Sequence, residues 1–199
     1  ERGLVFLPTS SASPDFYGGG RPGDNRHANS VVALDAASGA LVWAYQLVRH
    51  DVWDYDVPAQ PGLYRVATGQ GVRDVVAQVT KTGHIFVLDR DTGQPVFPVE
   101  DRPVPQAAAP GEDLSPTQPI PQRPPAIVPS SLDADDAFGV TWFDRQECRR
   151  KIAALQAKGL LPGDHVAVLG PTSRELMTIV RGCWLAGIAS MVLPLPMRM

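Results

Sequence analysis

Apolar runs that end in polar turns dominate the first hundred residues, and they are short enough to be β-strands. The runs Ser30 to Leu34 and His84 to Leu88 each lead into a turn of the form Asp-x-x-Ser/Thr-Gly, after which an aromatic residue begins the returning run. In such a turn the aspartate can accept hydrogen bonds from backbone amides, and glycine can adopt a positive φ. The pattern predicts two β-hairpins.

The two hairpins are copies of one repeat. Ala33 to Trp43 has the form A-x-D-x-x-[ST]-G-x-x-x-W, and Val87 to Phe97 repeats it with Val for Ala and Phe for Trp, 54 residues further along the chain. One hairpin cannot bury both of its faces. A single Asp-Gly hairpin occurs in many β proteins, whereas two in register, about 50 residues apart, are typical of β-propeller blades. We therefore predict a mainly β fold, a partial β-propeller of two to three blades.

The segment from Gln94 to Asp136 differs in composition, because it holds eleven of the chain's twenty prolines. Proline removes a backbone donor and favours extended geometry in the residue before it. This predicts a Pro-rich excursion, ordered against the surface or polyproline-like, with neither strand nor helix. The alternative is a flexible linker.

After Arg145 the pattern becomes helical. Cys148, Ile152 and Leu155 recur at helical spacing, and Lys158-Gly159 is a stop signal. Two apolar runs, His165 to Leu169 and Ile188 to Leu193, then flank a second helix that opens with a capping box, Thr172-x-x-Glu175, and runs to about Gly187. We predict a short β-α-β fragment with a right-handed crossover and parallel strands, which cannot belong to a propeller.

Composition and charge exclude several classes of function. The 199 residues carry a net charge of -3 without an extended basic patch, so no nucleic-acid partner is expected. Two distant cysteines indicate neither a disulfide framework nor a zinc site. The most apolar stretch, Gly182 to Met197, is shorter than the roughly 20 residues that span a bilayer, and we expect no membrane span in this chain.

The run Arg49 to Pro58, R-H-D-V-W-D-Y-D-V-P, together with T-K-T-G-H at Thr80 to His84, carries the strongest resemblance. It is similar to the active-site edge of the membrane-bound quinoprotein dehydrogenases that use pyrroloquinoline quinone (PQQ), glucose dehydrogenase above all. The resemblance covers roughly residues 1 to 150. The repeat also resembles the tryptophan-docking motif of these propellers, in which the ring of one blade stacks on its neighbour.

This resemblance implies a site. Asp54 would be the catalytic base that takes the substrate hydroxyl proton, and Lys81 would bind the cofactor by donating to the ortho-quinone oxygens of PQQ. Their 27-residue interval fits consecutive strands around the propeller axis, with the two charges close but unmerged. From the residues alone, Asp54 would be a turn cap and Lys81 a solvated surface lysine. Asp51 and Asp56 are weaker candidates, expected to be turn and hydrogen-bonding residues.

The same resemblance implies cofactors and partners. These are PQQ with Ca²⁺ or Mg²⁺, a glucose-like sugar or polyol as substrate, and ubiquinone as electron acceptor, at the periplasmic face of the inner membrane. Most metal ligands would lie outside this chain, and which residues bind metal is unknown. His50 lies where the family often has a His-His pair, with Arg49 in place of the first histidine.

The carboxy-terminal piece resembles a second family, the adenylate-forming acyl ligases (acyl-CoA synthetases and fatty-acyl-AMP ligases), through Gly159 to Ser173 and V-L-P-L-P at Val192 to Pro196. The ligase phosphate loop is absent, so no adenylation is expected. We predict three segments: a partial propeller over residues 1–147, a seam helix over 148–159 and a ligase-like fragment over 160–199. The chain is then a fragment of a PQQ-dependent dehydrogenase, inactive in isolation. The alternatives are a non-catalytic truncated fusion and a fragment of an acyl-adenylating ligase.

Overall fold

The computed structural model describes residues 2–106, 108–128, 134–157, 165–169 and 189–193. The chain divides into two units, residues 1–128 and 129–199. In the described part of the first unit, eight strands form antiparallel sheets of three, three and two strands. The first sheet contains β1 (Leu4–Pro8), β2 (Ser30–Asp35) and β3 (Leu41–Gln46); the second contains β4 (Gly62–Thr68), β5 (Gly71–Val79) and β6 (Ile85–Asp89); the third contains β7 (Val99–Pro103) and β8 (Thr117–Pro121). The mainly β prediction is confirmed.

Both predicted turns form in the same way. Asp35 Oδ1 accepts hydrogen bonds from the backbone amide and hydroxyl of Ser38 at 2.8 and 2.6 Å, and Asp89 Oδ1 accepts the equivalent pair from Thr92 at 3.0 Å each. The first turn joins β2 to β3. After the second turn the returning segment makes only a short bridge to β6, between Leu88 and Pro95, since proline has no N–H for a longer ladder.

Trp43 joins the two repeats. Its indole Nε1 donates to the carbonyl oxygen of Arg90 at 3.1 Å. The ring lies over Gly93, where an added Cβ would stand 2.5 Å from the indole Cδ2. The predicted docking of the tryptophan of one repeat on the next is therefore present.

One core connects the first two sheets. Its buried side chains come from β2, β3, β5, β6 and the segment that follows β3, and the largest fully buried among them are those of Phe86 and Leu88. Burial of these apolar side chains is the main stabilising term in such a unit. The core members are Val31, Ala33, Trp43, Leu47, Val57, Val76, Phe86 and Leu88.

The Pro-rich excursion contains strands, so the prediction of neither strand nor helix is wrong. β7 and β8 pair in antiparallel register, with Val99 opposite Pro121 and Asp101 opposite Pro119. Gln122 donates its amide to Pro98 at 2.9 Å, so even-numbered residues of β8 direct their N–H groups toward β7. Pro119 and Pro121 have the opposite parity, and their missing donors therefore fall on the edge of β8 that faces away from β7.

The second unit has one described α-helix, α1 (Trp142–Ala157), after a 3-10 turn at Ala134–Asp136. Thr141 caps it, because its hydroxyl accepts the Asp144 amide at 3.2 Å while the Asp144 carboxylate accepts the Thr141 amide. This confirms the predicted helix, which begins three residues before Arg145. No helix among the described residues is long and apolar enough to cross a membrane.

Strands β9 (His165–Leu169) and β10 (Ala189–Leu193) pair in parallel, with Ala189 opposite His165. The two predicted strands and their parallel direction are confirmed. The predicted helix between them, with its Thr172-x-x-Glu175 capping box, lies outside the described residues.

Candidate functional site

The loop between β3 and β4 carries the aspartates of the R-H-D-V-W-D-Y-D-V-P run, and a buried carboxylate organises it. Asp51 is 1% exposed. Its Oδ1 accepts the amide of Trp53 at 2.9 Å, and its Oδ2 accepts the amide of Tyr55 at 2.7 Å. The Oδ2 atom also accepts the hydroxyl of Ser11 and, at 2.8 Å, the side-chain amide of Asn29. As predicted, Asp51 is a turn and hydrogen-bonding residue.

Asp54 lies at the tip of this turn, between the two residues whose amides bind Asp51. Its φ is +58°, in the left-handed region that non-glycine residues rarely adopt. Its side chain is 39% exposed, so the carboxylate faces solvent and can be reached by a ligand.

Lys81 belongs to the turn between β5 and β6. Thr80 fixes this turn: its hydroxyl accepts the amide of His84 at 3.2 Å, and its carbonyl accepts the amide of Gly83, which has φ +78°. Asp54 is likewise in a loop, so the two residues do not lie on consecutive strands as the interval suggested. Loops at the ends of strands still bring them together.

The ammonium group of Lys81 contacts three oxygens. Its Nζ lies 2.6 Å from the main-chain oxygen of Asp54, 3.4 Å from Asp54 Oδ2 and 3.3 Å from Asp56 Oδ2. The shortest contact is to an uncharged carbonyl, and the charge is shared between two carboxylates at long distance. The ammonium is therefore close to both carboxylates, with ion-pair distances of 3.4 Å to Asp54 and 3.3 Å to Asp56.

The surroundings shift the pKa values of the two carboxylates in opposite directions. Burial and then the neighbouring Asp56 raise the pKa of Asp54, while Lys81 partly offsets them. A hydrogen bond from the Ser11 amide lowers the pKa of Asp56. Burial opposes the charge on Lys81, but Asp56 and Asp54 outweigh it and raise the pKa of this lysine. Asp54 is thus the more basic carboxylate, next to a fully charged ammonium.

Arg49 and His50 connect the loop to its surroundings. The Arg49 amide donates to Gln118 Oε1 at 2.8 Å and its carbonyl accepts Gln118 Nε2 at 2.7 Å, while its guanidinium pairs with Asp101 at 2.9 Å. His50 is 1% exposed, and its Nδ1 lies 2.6 Å from the Gly23 carbonyl oxygen. Arg49 therefore anchors the loop to β7 and β8.

Sequence reasoning missed two features of this site. It did not assign Asp56 as a partner of Lys81, although Asp56 is only two residues from Asp54 and therefore had to lie near any partner of Asp54. It also missed the anchoring of the loop by Gln118, for which the sequence carries no local signal.

The arrangement can remove a proton and stabilise a developing negative charge at one place. A carboxylate of raised pKa is a general base, and an adjacent ammonium is an electrostatic donor. Among the described residues there is no group of three or more His, Cys, Asp or Glu side chains that could bind a metal ion.

Repeated turns joined by a docked tryptophan, with a carboxylate and an ammonium on adjacent loops, are consistent with a segment of a β-propeller. Residues 1–171 match the PQQ family, described as the glucose/ethanol/alcohol dehydrogenase β-propeller domain, and the chain belongs to this family. The match continues past the predicted seam at 148–159, and the three-segment division remains a prediction.

Relatives with curated names agree with this family. The chain is 42% identical over 159 residues to quinoprotein glucose dehydrogenase of Escherichia coli, covering 79% of this chain and 20% of that protein. It is 44% identical to the Gluconobacter oxydans enzyme of the same name, covering 78% and 19%. The chain thus spans about a fifth of the length of these relatives.

Among solved structures, the quinohemoprotein alcohol dehydrogenase of Comamonas testosteroni is similar. It is 28% identical with a TM-score of 0.47, and the match covers 61% of this chain and 18% of that one.

Proposed function

We propose that this chain is the part of a PQQ-dependent dehydrogenase that supplies the catalytic base, Asp54, and a cofactor-binding lysine, Lys81. The observation that carries the proposal is the contact of Lys81 Nζ with both the main-chain oxygen and the carboxylate of Asp54. Two loops that are distant in sequence converge on this contact. A turn cap and a solvated surface lysine would not need it.

The proposed chemistry is oxidation of an alcohol. PQQ, when bound, would supply an electrophilic quinone as the acceptor of the hydride that leaves the carbinol carbon. Asp54 takes the proton from the hydroxyl oxygen, and the electron pair of the broken O–H bond forms the product carbonyl. The raised pKa of Asp54 suits this role, because a stronger base accepts the proton more readily.

Lys81 has the complementary role. Its ammonium would donate a hydrogen bond to the quinone oxygens and stabilise the charge that develops there. The site residues fit such a ligand, since both side chains are more than one third exposed and their charges are not neutralised in one short ion pair. A Ca²⁺ or Mg²⁺ ion, held mainly by residues outside this chain, would complete the site.

The proposed substrate is glucose or a related sugar or polyol. Relatives are named quinoprotein glucose dehydrogenase, glycerol dehydrogenase large subunit and quinate/shikimate dehydrogenase (quinone), and all of these names refer to compounds with several hydroxyl groups. The word quinone in the third name supports a quinone, ubiquinone in our proposal, as electron acceptor. A periplasmic-facing, membrane-associated location follows from the resemblance to glucose dehydrogenase.

A chimera tests the proposal. The matching segment of the E. coli quinoprotein glucose dehydrogenase is replaced by this chain's residues, and dye reduction is measured with glucose, PQQ and Ca²⁺. We expect turnover, a loss of about a thousandfold or more in Asp54→Asn, and a similar loss in Lys81→Ala. Asp91→Asn is the matched control, because Asp91 is an exposed carboxylate that pairs with Arg2 and is not part of the site.

Two outcomes would contradict the proposal. Retention of turnover by Asp54→Asn would remove this residue as the base. The second outcome is that the chimera and its Asp91→Asn variant both bind PQQ but oxidise no polyol. This would favour the non-catalytic alternative. ATP-pyrophosphate exchange with fatty acids would support the ligase alternative instead.

A further inference from the structure

The buried network around Asp51 has a consequence for both proposed site residues. Asp51 carries a carboxylate at 1% exposure, and its four hydrogen-bond donors are uncharged groups of Ser11, Asn29, Trp53 and Tyr55. Burial of an ionised carboxylate is costly unless every acceptor site is used. A simple turn does not require a buried carboxylate. Asp35 caps an exposed turn elsewhere in the chain with the same kind of hydrogen bond.

The bonds of Asp51 surround Asp54. Two of them go to the amides of Trp53 and Tyr55, the residues on either side of Asp54. Asn29, which donates to the Asp51 carboxylate, also donates to the carbonyl oxygen of Tyr55 at 3.0 Å. The backbone before and after Asp54 is therefore fixed to one buried centre.

This fixation explains the backbone of Asp54. A left-handed conformation costs a non-glycine residue of order 1–2 kcal/mol, and it persists only where the surroundings determine it. The conformation directs the carbonyl oxygen of Asp54 to Lys81 Nζ, at 2.6 Å the shortest of the lysine's three contacts. The left-handed turn thus positions two groups at once, the carboxylate of Asp54 and the ammonium of Lys81.

We propose that Asp51 is a positioning residue that couples the base to the lysine by holding Asp54 in the left-handed conformation. This inference deepens the proposed function and rests on it for the catalytic meaning of Asp54 and Lys81. Asp51→Asn replaces one acceptor by a donor and must lose at least one bond to the turn. The turn then relaxes, and Lys81 leaves its carbonyl and carboxylate partners.

The test measures Lys81 directly, without PQQ. The 199-residue chain is labelled with limiting acetic anhydride, and acetylation of Lys81 is compared by mass spectrometry with that of Lys151, which pairs with Glu147 in α1 and serves as internal reference. Release from its carboxylates lowers the pKa of Lys81 and increases its neutral fraction. We expect the Lys81 to Lys151 ratio to rise at least about threefold in Asp51→Asn.

Asp35→Asn is the matched control, because Asp35 also binds two backbone amides and a hydroxyl in a turn, away from Asp54. Its ratio is expected to stay at the parent value. An unchanged ratio in Asp51→Asn, with an unchanged circular dichroism spectrum, overturns the inference. An equal rise of the Lys81 to Lys151 acetylation ratio in Asp51→Asn and Asp35→Asn also overturns the inference. If Asp51→Asn does not fold, Ser11→Ala removes one donor and keeps the carboxylate, and it must still raise the ratio.

Turnover in the chimera separates this inference from the proposed function. We expect Asp51→Asn to lower kcat about tenfold or more, through displacement of two site groups, and Asp35→Asn to leave kcat unchanged. If Asp54→Asn retains turnover, the proposed function fails whatever the labelling shows. If Asp54→Asn loses turnover but Asp51→Asn leaves the acetylation ratio and kcat unchanged, only the inference fails.

Discussion

At the scale of single residues, the site has to keep a carboxylate and an ammonium adjacent without neutralising either. The structure does this with a carbonyl oxygen and a second carboxylate. Lys81 makes its short bond to the main-chain oxygen of Asp54 and shares its charge between Asp54 and Asp56. In the proposed function this leaves Asp54 able to accept a substrate proton, because its charge is not neutralised in one short ion pair.

Replacement of Lys81 should raise the pKa of Asp54 further. Burial and Asp56 already raise this pKa, and Lys81 opposes them. In Lys81→Gln the opposing charge is absent, so Asp54 should become deprotonated only at higher pH than in the parent. Carbon-13 NMR of the side-chain carboxyl measures this titration. Lys151→Gln is the control, and a pKa of Asp54 that falls in Lys81→Gln would contradict the assignment of charges.

Replacement of Asp56 should lower the pKa of Asp54. A hydrogen bond and the negative charge of Asp56 both raise the pKa of Asp54. In Asp56→Asn the charge is lost while the side-chain oxygen can still accept the Ser11 amide, so the loop should persist. The same NMR titration should show Asp54 deprotonating at lower pH than in the parent. If the pKa of Asp54 rises in both Lys81→Gln and Asp56→Asn, disruption of the loop and not the lost charge controls this pKa.

At the scale of elements, the two repeat glycines allow a matched test of tryptophan docking. Gly39 and Gly93 have φ of +71° and +70° in equivalent turns, but only an added Cβ at Gly93 would meet the Trp43 ring. Gly39→Ala should cost about 1 kcal/mol of unfolding free energy from backbone strain. Gly93→Ala should cost about 1–3 kcal/mol more from overpacking. Urea unfolding followed by tryptophan fluorescence measures the difference, and equal costs would contradict docking.

The hydrogen bonds of Gln118 should protect the site loop from opening. Gln118→Leu removes both bonds to the Arg49 main chain, so exchange of the Arg49 amide hydrogen should accelerate roughly tenfold. Gln106→Leu is the control, since Gln106 also binds carbonyl oxygens of the excursion but does not contact Arg49. Equal protection of Arg49 in Gln118→Leu and the parent, measured by hydrogen exchange, would exclude this anchoring role.

The sequence was informative for elements that repeat or follow a simple period. The Asp-x-x-Ser/Thr-Gly turns form where the pattern predicted them, and α1 and the parallel strands β9 and β10 form within three residues of their predicted starts. The strands β7 and β8 were missed, because proline normally interrupts a ladder and only the pairing shows that the prolines face an unpaired edge. Within the site, the proximity of Asp54 and Lys81 was predicted from the resemblance to the quinoprotein dehydrogenases. The hydrogen bonds between Gln118 and Arg49 could not be predicted, because they join residues 69 positions apart.

At the scale of the whole molecule, the site is only part of what catalysis requires. The chain spans about a fifth of its relatives, and the sheets β1–β3 and β4–β6 have three strands where a propeller blade has four. The described residues contain no group that could bind the divalent cation by itself. PQQ and substrate react only when both are held in a reactive orientation, and the proposed function assigns one base and one cofactor-binding lysine in this chain to that task.

We therefore expect the 199-residue chain, supplied with PQQ and Ca²⁺, to show no glucose-dependent dye reduction above background, while the chimera turns over. Orientation of reactants can contribute about 7–11 kcal/mol to a reaction, so two site residues that do not also orient cofactor and substrate should give no measurable rate. The two proteins are assayed at equal site concentration, with Asp54→Asn variants of each as controls. Turnover by the isolated chain that disappears in its Asp54→Asn variant would contradict this expectation, and it would show that the loops of the first unit suffice to orient the cofactor.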